Sequence, residues 1–237
     1  MKNQYFGDRR DLFKYDLLLD LVEAHGAGRL TFIPMLTPPD NSGQGRLSQS
    51  DCRNRRPVLY EFLQASVASG QRDIRRVREI MRIFGVDIMP FRDDVWFVPE
   101  QRADYFKALP SEYLTRSVVF FDPDIGLETG TASYTRSRGP EKYLFYSELK
   151  DVWARVSIDS VVVVYQHLQN DATKRVFDVE RRVRDLRRCL GAPVWAVQWN
   201  DVAFVVVARE GVMAGEIRTA LQRHAQRHTV AFCEVAA

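Results

Sequence analysis

The sequence has few of the features that would place it in a specialised class of protein. Its three cysteines, Cys52, Cys189 and Cys233, lie far apart and form no CxxC pair. This spacing argues against a disulfide framework or a zinc knuckle and is typical of a reducing compartment. No apolar run is long enough to span a bilayer, and the first residues lack an apolar signal core. We therefore expect a cytoplasmic protein with no membrane partner.

A large excess of charge, internal repeats and low-complexity tracts are also missing. The formal net charge is only +3 over 237 residues, which says little about partners. The arginines nevertheless form two clusters, which are either solvated helix faces or footprints for a phosphate backbone. Nucleic acid is thus one candidate partner. The clusters comprise Arg72, Arg75, Arg76, Arg78 and Arg82, and Arg181, Arg182, Arg184, Arg187 and Arg188.

Apolar segments of strand length alternate with segments of helical periodicity. Hydrophobic residues make up 46% of the chain and nothing resembles a linker, so a single domain over residues 1–237 is expected. The alternation predicts a three-layer, doubly wound, mostly parallel α/β sheet of Rossmann-like type, with a C-terminal antiparallel hairpin at Asn200-Asp201. The predicted strands span residues 30–35, 86–89, 95–98, 117–121, 160–165, 194–199, 203–208 and 230–235.

The chain from Ser117 to Glu128 predicts a buried strand that runs directly into an acidic turn, Asp122-Pro123-Asp124. In open α/β sheets, ligands bind beyond the carboxyl ends of the strands. A second buried strand, 160–165, leads to His167, and the two strands are expected to be parallel neighbours. Asp122, Pro123, Asp124 and His167 are therefore the candidate catalytic residues.

A helix is predicted to begin around Asp8, the expected N-cap, with Asp11 in its first turn and Lys14 near the same end. These residues either pair locally or present polar groups to a ligand. A turn-rich loop, 37–46, follows the first predicted strand, where Rossmann folds bind a nucleotide, although its glycines do not form GxGxxG.

Two kinds of site are compatible with the acidic turn. Asp122, Asp124 and Glu128 could hold magnesium or manganese for phosphodiester hydrolysis, with His167 as a ligand or base. Alternatively, Asp122 could accept a hydrogen bond from a flipped base while the carbonyl of Pro123 aligns its exocyclic nitrogen for group transfer.

Short motifs resemble the large-subunit ribosomal RNA adenine-N6 methyltransferases, a Rossmann-type family. That family begins with Gly-Asn-x-x-Asp-x-x-Lys-His, where this chain has Gly7-Asp8-Arg9-Arg10-Asp11-Leu12-Phe13-Lys14-Tyr15, and it carries Asp-Pro-Pro-Tyr where this chain has Asp122-Pro123-Asp124-Ile125. Asp124 and Ile125 replace the proline and the tyrosine, so the aromatic that stacks on adenine is absent from its place. The motifs FGDxxDxxKY and DPDxGLE also resemble an uncharacterised bacterial protein family.

The resemblance implies an enzyme that transfers a methyl group from S-adenosylmethionine to a nucleic-acid base or a related substrate. By that resemblance Lys14 would help to hold the cofactor and Asp122 would face the acceptor nitrogen. The alternatives are a metal-dependent nuclease or phosphoesterase and a non-catalytic Rossmann-like binding protein. The candidate cofactor-binding residues are Asp8, Asp11, Lys14, Asp40 and Asn41, and the candidate substrate-binding residues are Tyr5, Phe6, Glu128 and Arg136.

Overall fold

The computed structural model describes residues 1–40, 56–129 and 139–235. In these residues, helices cover both faces of a seven-stranded sheet. Its strands are β1 Arg29–Ile33, β2 Asp87–Pro90, β3 Val118–Phe121, β6 Val161–His167, β7 Val194–Trp199, β8 Val202–Ala208 and β9 Ala231–Glu234. A separate small sheet pairs β4 Gly126–Leu127 with β5 Tyr143–Leu144.

The α-helices have identifiable start and stop signals. Asp8 caps the first, Pro57 occupies the first turn of the second, and left-handed Gly26 and Gly191 end two of them. Their bounds are α1 Arg9–His25, α2 Pro57–Ala68, α3 Val77–Ile83, α4 Arg102–Lys107, α5 Tyr146–Arg155, α6 Arg175–Leu190 and α7 Val212–His228.

The strand order is β2-β1-β3-β6-β8-β7-β9. The first four strands are parallel, β8 runs against both β6 and β7, and β9 runs against β7. Five strands therefore point one way and two the other. The predicted mixed, mostly parallel α/β sheet is confirmed, as are the parallel pairing of β3 with β6 and the hairpin at Asn200, whose φ is 52°. This arrangement is compatible with a Rossmann-like fold.

The core forms two layers because successive strand residues face opposite sides of the sheet. On β3, Val118 and Phe120 pack towards α1, α2, α3 and α7, whereas Val119 and Phe121 pack towards α4, α5 and α6. All four side chains are fully buried. Burial of each contributes roughly 1.5–3 kcal/mol. Because both faces of β3 are buried, its sequence is an unbroken apolar run.

The predicted strand at 95–98 is wrong. Phe97 donates one backbone hydrogen bond to Leu36, at 2.7 Å, but no ladder forms there. The chain turns at residues 91–95 directly after β2, where Asp93 is buried and pairs with Arg78. In the described part of the chain, no helix is long and apolar enough to cross a membrane.

Candidate active site

The site lies where the direction of the chain through the sheet reverses. From β1 the chain goes to β2 on one side and then returns to β3 on the other side. Such a switch point leaves a crevice at the carboxyl ends of the two central strands. Here the backbone N–H of Asp122, directly after β3, donates to the carbonyl of Ile33 at the end of β1, at 2.9 Å. The acidic turn therefore begins at the switch point.

The start of α1 reaches this crevice in a fixed geometry. The Asp8 carboxylate accepts the backbone N–H groups of Arg10 and Asp11, at 2.9 and 3.0 Å, and Asp11 accepts that of Gly7, at 3.0 Å. Gly7 has a φ of 91°, and a Cβ there would lie 2.8 Å from a methyl of Val67. Burial and the neighbouring Asp11 raise the pKa of Asp8 to about 6.

Lys14 joins the helix to the acidic turn. Its Nζ lies 2.7 Å from Oδ1 of Asp11 and 2.8 Å from Oδ2 of Asp122, and all three side chains are almost fully buried. Burial disfavours the ammonium, but the two carboxylates outweigh it and hold the pKa of Lys14 well above its usual value. Lys14 is therefore charged and balances the charge of the site.

The N-terminal residues cover the crevice. The α-ammonium of Met1 donates to the carbonyl of Met35, at 3.3 Å, and lies 3.9 Å from Asp124. Nζ of Lys2 lies 2.5 Å from Asp40 and 3.1 Å from Asp124. Asp40 therefore contacts Lys2 from outside the crevice. Burial lowers the pKa of the Met1 amine, so Lys2 is the cation that balances Asp124.

His167 lies at the rim of the site, beside Arg10 and Asp201. Its Nε2 is 3.4 Å from the Arg10 guanidinium and 3.7 Å from Oδ2 of Asp201, and Arg10 also donates to Asp201. Burial, with a contribution from Arg10, lowers the pKa of His167. The imidazole is therefore neutral at pH 7 and available for hydrogen bonding.

Gln166 connects the two sequence motifs, and the sequence did not point to it. Its side chain accepts from the backbone of Leu127, at 2.9 Å, and donates to the carbonyl of His167, at 2.7 Å. Gly126 has a φ of 134°, and a Cβ there would lie 2.5 Å from Oε1 of Gln166. Gly126 thus permits the close contact that holds the acidic loop against the end of β6. The sequence signal that could have identified Gln166 is a polar glutamine at the end of an apolar, buried strand.

Most of the predicted site residues meet in one cavity, together with Met1, Arg10 and Tyr165, which were not predicted. The predicted residues that line it are Tyr5, Asp8, Asp11, Lys14, Asp122, Pro123, Asp124 and His167.

Phe6 and Glu128 lie elsewhere. Phe6 is fully buried in the hydrophobic core, 6.2 Å from the ring of Tyr15, because the turn at Gly7 directs it inwards. Glu128 accepts the backbone N–H of Tyr146, at 2.8 Å, and so caps the start of α5. Asn41 and Arg136 lie outside the described residues.

The three carboxylates of the alternative metal site do not converge. Among the described residues, a group with metal-binding spacing forms at Asp16, His224 and His228 and not at Asp122, Asp124 and Glu128. The acidic turn is instead neutralised by ammonium groups. The arrangement therefore offers hydrogen-bond acceptors and fixed cations rather than a preformed magnesium or manganese shell.

The cavity has a volume of about 30 Å³, whereas pockets for small molecules have volumes of roughly 300–1,000 Å³. Met1 lines the cavity, with its sulfur 3.8 Å from Nζ of Lys14. A nucleoside cofactor does not fit this conformation.

The arginine clusters are largely engaged in local contacts. Arg75 pairs with Asp73 and Arg76 with Glu79. Arg182 is buried and donates to the carbonyl of Glu128. These three arginines make local contacts within the protein. Binding of a phosphate backbone by the clusters stays a prediction.

Comparison with protein-family models, with curated proteins and with solved structures finds no match to this chain.

Proposed function

We propose that the crevice at the ends of β1, β3 and β6 is the active site of a methyltransferase-like enzyme that uses S-adenosylmethionine and acts on a nucleic-acid base or a related amine. The observation that carries the proposal is the contact between Lys14 and Asp122, at 2.8 Å. These residues belong to the two motifs that resemble the adenine-N6 methyltransferases, and they lie 108 positions apart in the sequence. Their meeting at the topological switch point supports a shared role in ligand binding.

The polar groups of the crevice match groups of the cofactor, although the crevice is too small to hold the cofactor in this conformation. Met1 brings an amino group next to Asp124 and the Met35 carbonyl, and a sulfur next to Lys14. The methionine end of S-adenosylmethionine likewise carries an amino group, although its sulfur is a cationic sulfonium and not a thioether. We therefore propose that residues 1–5 occupy the cofactor position and leave it when the cofactor binds.

In this proposal Asp122 accepts a hydrogen bond from the amine that is methylated, and Pro123 fixes the turn that aims its carbonyl at the same nitrogen. Burial raises the pKa of Asp122, and the Lys14 ammonium at 2.8 Å opposes this shift and holds the carboxylate in place. The position of Ile125 offers no aromatic ring for stacking. The aromatic residues that line the cavity are Tyr5 and Tyr165, and only Tyr165 keeps its place when residues 1–5 leave.

The metal-dependent alternative has less support. A divalent cation prefers carboxylates that are not already neutralised, whereas Lys14 pairs with Asp122 and Lys2 with Asp124. Binding of a metal there would require at least one of these cations to leave.

Thermal unfolding with separate ligands tests the proposal. A ligand that binds only the folded protein raises the melting temperature. We expect S-adenosylmethionine and S-adenosylhomocysteine to raise it at saturating concentration, and magnesium, which prefers oxygen ligands, to leave it unchanged. A shift with magnesium alone would favour the hydrolase. No shift with either cofactor form would contradict the methyltransferase proposal and favour a non-catalytic binding protein.

A further inference from the structure

A second polar cluster lies on the side of α1 that faces away from the crevice. Asp16 follows Lys14 by two residues, which is about 200° around an α-helix. It meets His224 and His228 of α7, and the exposed fractions of the three residues are 2%, 0% and 7%. One ligand atom from each side chain lies within 4.8 Å of the other two. This cluster shares no residue with the cavity of the candidate active site.

The two histidines are arranged as a helical metal-binding pair. They are four residues apart, so they lie on one face of α7, and their ring centroids are 4.1 Å apart with an interplanar angle of 24°. Nε2 of His228 lies 2.6 Å from Oδ2 of Asp16. If both atoms bound one tetrahedral zinc ion at about 2.0 Å, they would separate to about 3.3 Å. A shift of less than 1 Å would therefore open the coordination site.

His224 supplies the independent observation that points to a ligand. Its Nδ1 lies 2.6 Å from Oδ2 of Asp20, and its Nε2 is buried with no hydrogen-bond partner among the residues that the structure describes. An N–H that donates from Nδ1 leaves the Nε2 lone pair unused in the protein interior, which is costly unless an ion or a proton takes it.

Asp20 has the position of a supporting carboxylate. Metal-bound histidines usually donate their other N–H to such a group, which fixes the ring and strengthens the ligand. Arg56 contacts Oδ1 of both Asp16 and Asp20, at 2.6 Å each, and Arg227 contacts Oδ2 of Asp20, at 2.7 Å. The guanidinium of Arg56 therefore leaves Oδ2 of Asp16 to face His228. Arg227 is 41% exposed, so water screens its charge.

We propose that Asp16, His224 and His228 bind one divalent transition metal ion, zinc by the chemistry of the ligand set, and that this ion fastens α7 to α1. One carboxylate and two imidazoles are ligands that zinc accepts, with a fourth position for water. The role is structural, because the cluster is buried between two helices and none of its residues lines the crevice. It does not depend on the proposed methyltransferase activity.

Cobalt titration of untagged protein, freed of metal by a chelator, tests the site. Tetrahedral cobalt gives intense visible bands, so we expect one equivalent to bind with that spectrum in the wild type. His224→Gln and His228→Gln should each lose the spectrum and weaken cobalt binding at least tenfold, and His25→Gln should keep it. No tetrahedral cobalt in the wild type, or the same binding in all four proteins, would overturn the proposal.

X-ray absorption of the zinc-loaded wild type keeps the test valid if the variants do not fold. We expect two imidazole nitrogens and one carboxylate oxygen in the shell, and zinc should raise the melting temperature. A shell with fewer than two imidazoles would mean that zinc binds elsewhere and would contradict the assignment.

Discussion

Nζ of Lys14 lies 2.8 Å from Oδ2 of Asp122, and both side chains are only 2% exposed. This contact joins the start of α1 to the end of β3 and places an ammonium beside a carboxylate in the crevice. The same ammonium also contacts Asp11, so one cation balances two buried carboxylates. An ion pair buried in this way is expensive to break from one side, because the remaining charges lose their compensation.

Lys14→Met should therefore destabilise the protein by about 3–5 kcal/mol, measured by urea unfolding at pH 7. Lys174→Met is the matched control, since Lys174 pairs with Asp171 on the surface with 65% of its side chain exposed, and it should cost about 1 kcal/mol or less. Equal losses in the two variants would show that the contact of Lys14 with Asp122 does not organise the site.

Asp8 should give the protein a distinctive pH dependence. Its pKa is raised from 3.8 to about 6 on folding, so the folded state binds the proton more tightly than the unfolded state. The resulting stabilisation is complete below about pH 3.8 and is lost as the pH rises through 6. Asp8→Asn keeps a capping side chain and removes the titration.

The free energy of unfolding of the wild type, relative to that of Asp8→Asn, should thus fall by up to about 3 kcal/mol between pH 4 and pH 7. Urea unfolding of both proteins across this range measures the difference. Parallel pH profiles for the two proteins would be inconsistent with a raised pKa at Asp8.

Gly126→Ala should damage the junction between the two motifs. The added Cβ would lie 2.5 Å from Oε1 of Gln166, at a φ of 134° that alanine rarely adopts. We expect a loss of roughly 2–4 kcal/mol, from backbone strain and displacement of the glutamine. Gly215 lies within α7, where an added Cβ would meet no described atom within 4 Å. Gly215→Ala should therefore stabilise the protein by roughly 0.5–1 kcal/mol. A neutral Gly126→Ala would contradict the close contact.

Lys2→Ala should make the crevice easier to enter. Lys2 holds the terminal segment to Asp40 and Asp124, so its removal raises the population of the open form. S-adenosylhomocysteine should bind roughly tenfold more tightly by calorimetry, whereas Lys174→Ala should leave the affinity unchanged. Unchanged or weaker binding in Lys2→Ala would mean that residues 1–5 do not compete with the cofactor.

The sequence predicted the sheet well where strands are buried on both faces. β3 and β6 read as unbroken apolar runs because no face of either strand meets water. The segment at 95–98 has the same β-branched and aromatic composition but lies at the surface, with Trp96 42% exposed. Composition alone did not separate it from a strand, because what decides is whether a neighbouring strand lies within reach.

The site was harder to predict, since several contacts join residues that are distant in the sequence. The acidic turn and Lys14 followed from local patterns, but the covering of the crevice by Met1 and the bridge by Gln166 depend on the packed fold. The pair His224 and His228 has a helical spacing visible in the sequence, yet its partner Asp16 comes from the other end of the chain.

The most direct measurement is a crystal structure of the wild type grown with S-adenosylhomocysteine. We predict a nucleoside bound between the ends of β1 and β3, residues 1–5 displaced from the crevice, and Lys14 still in contact with Asp122. A structure in which Met1 still contacts Lys14 and no nucleoside is bound in the crevice, at a saturating ligand concentration, would contradict the assignment of this crevice as a methyltransferase site.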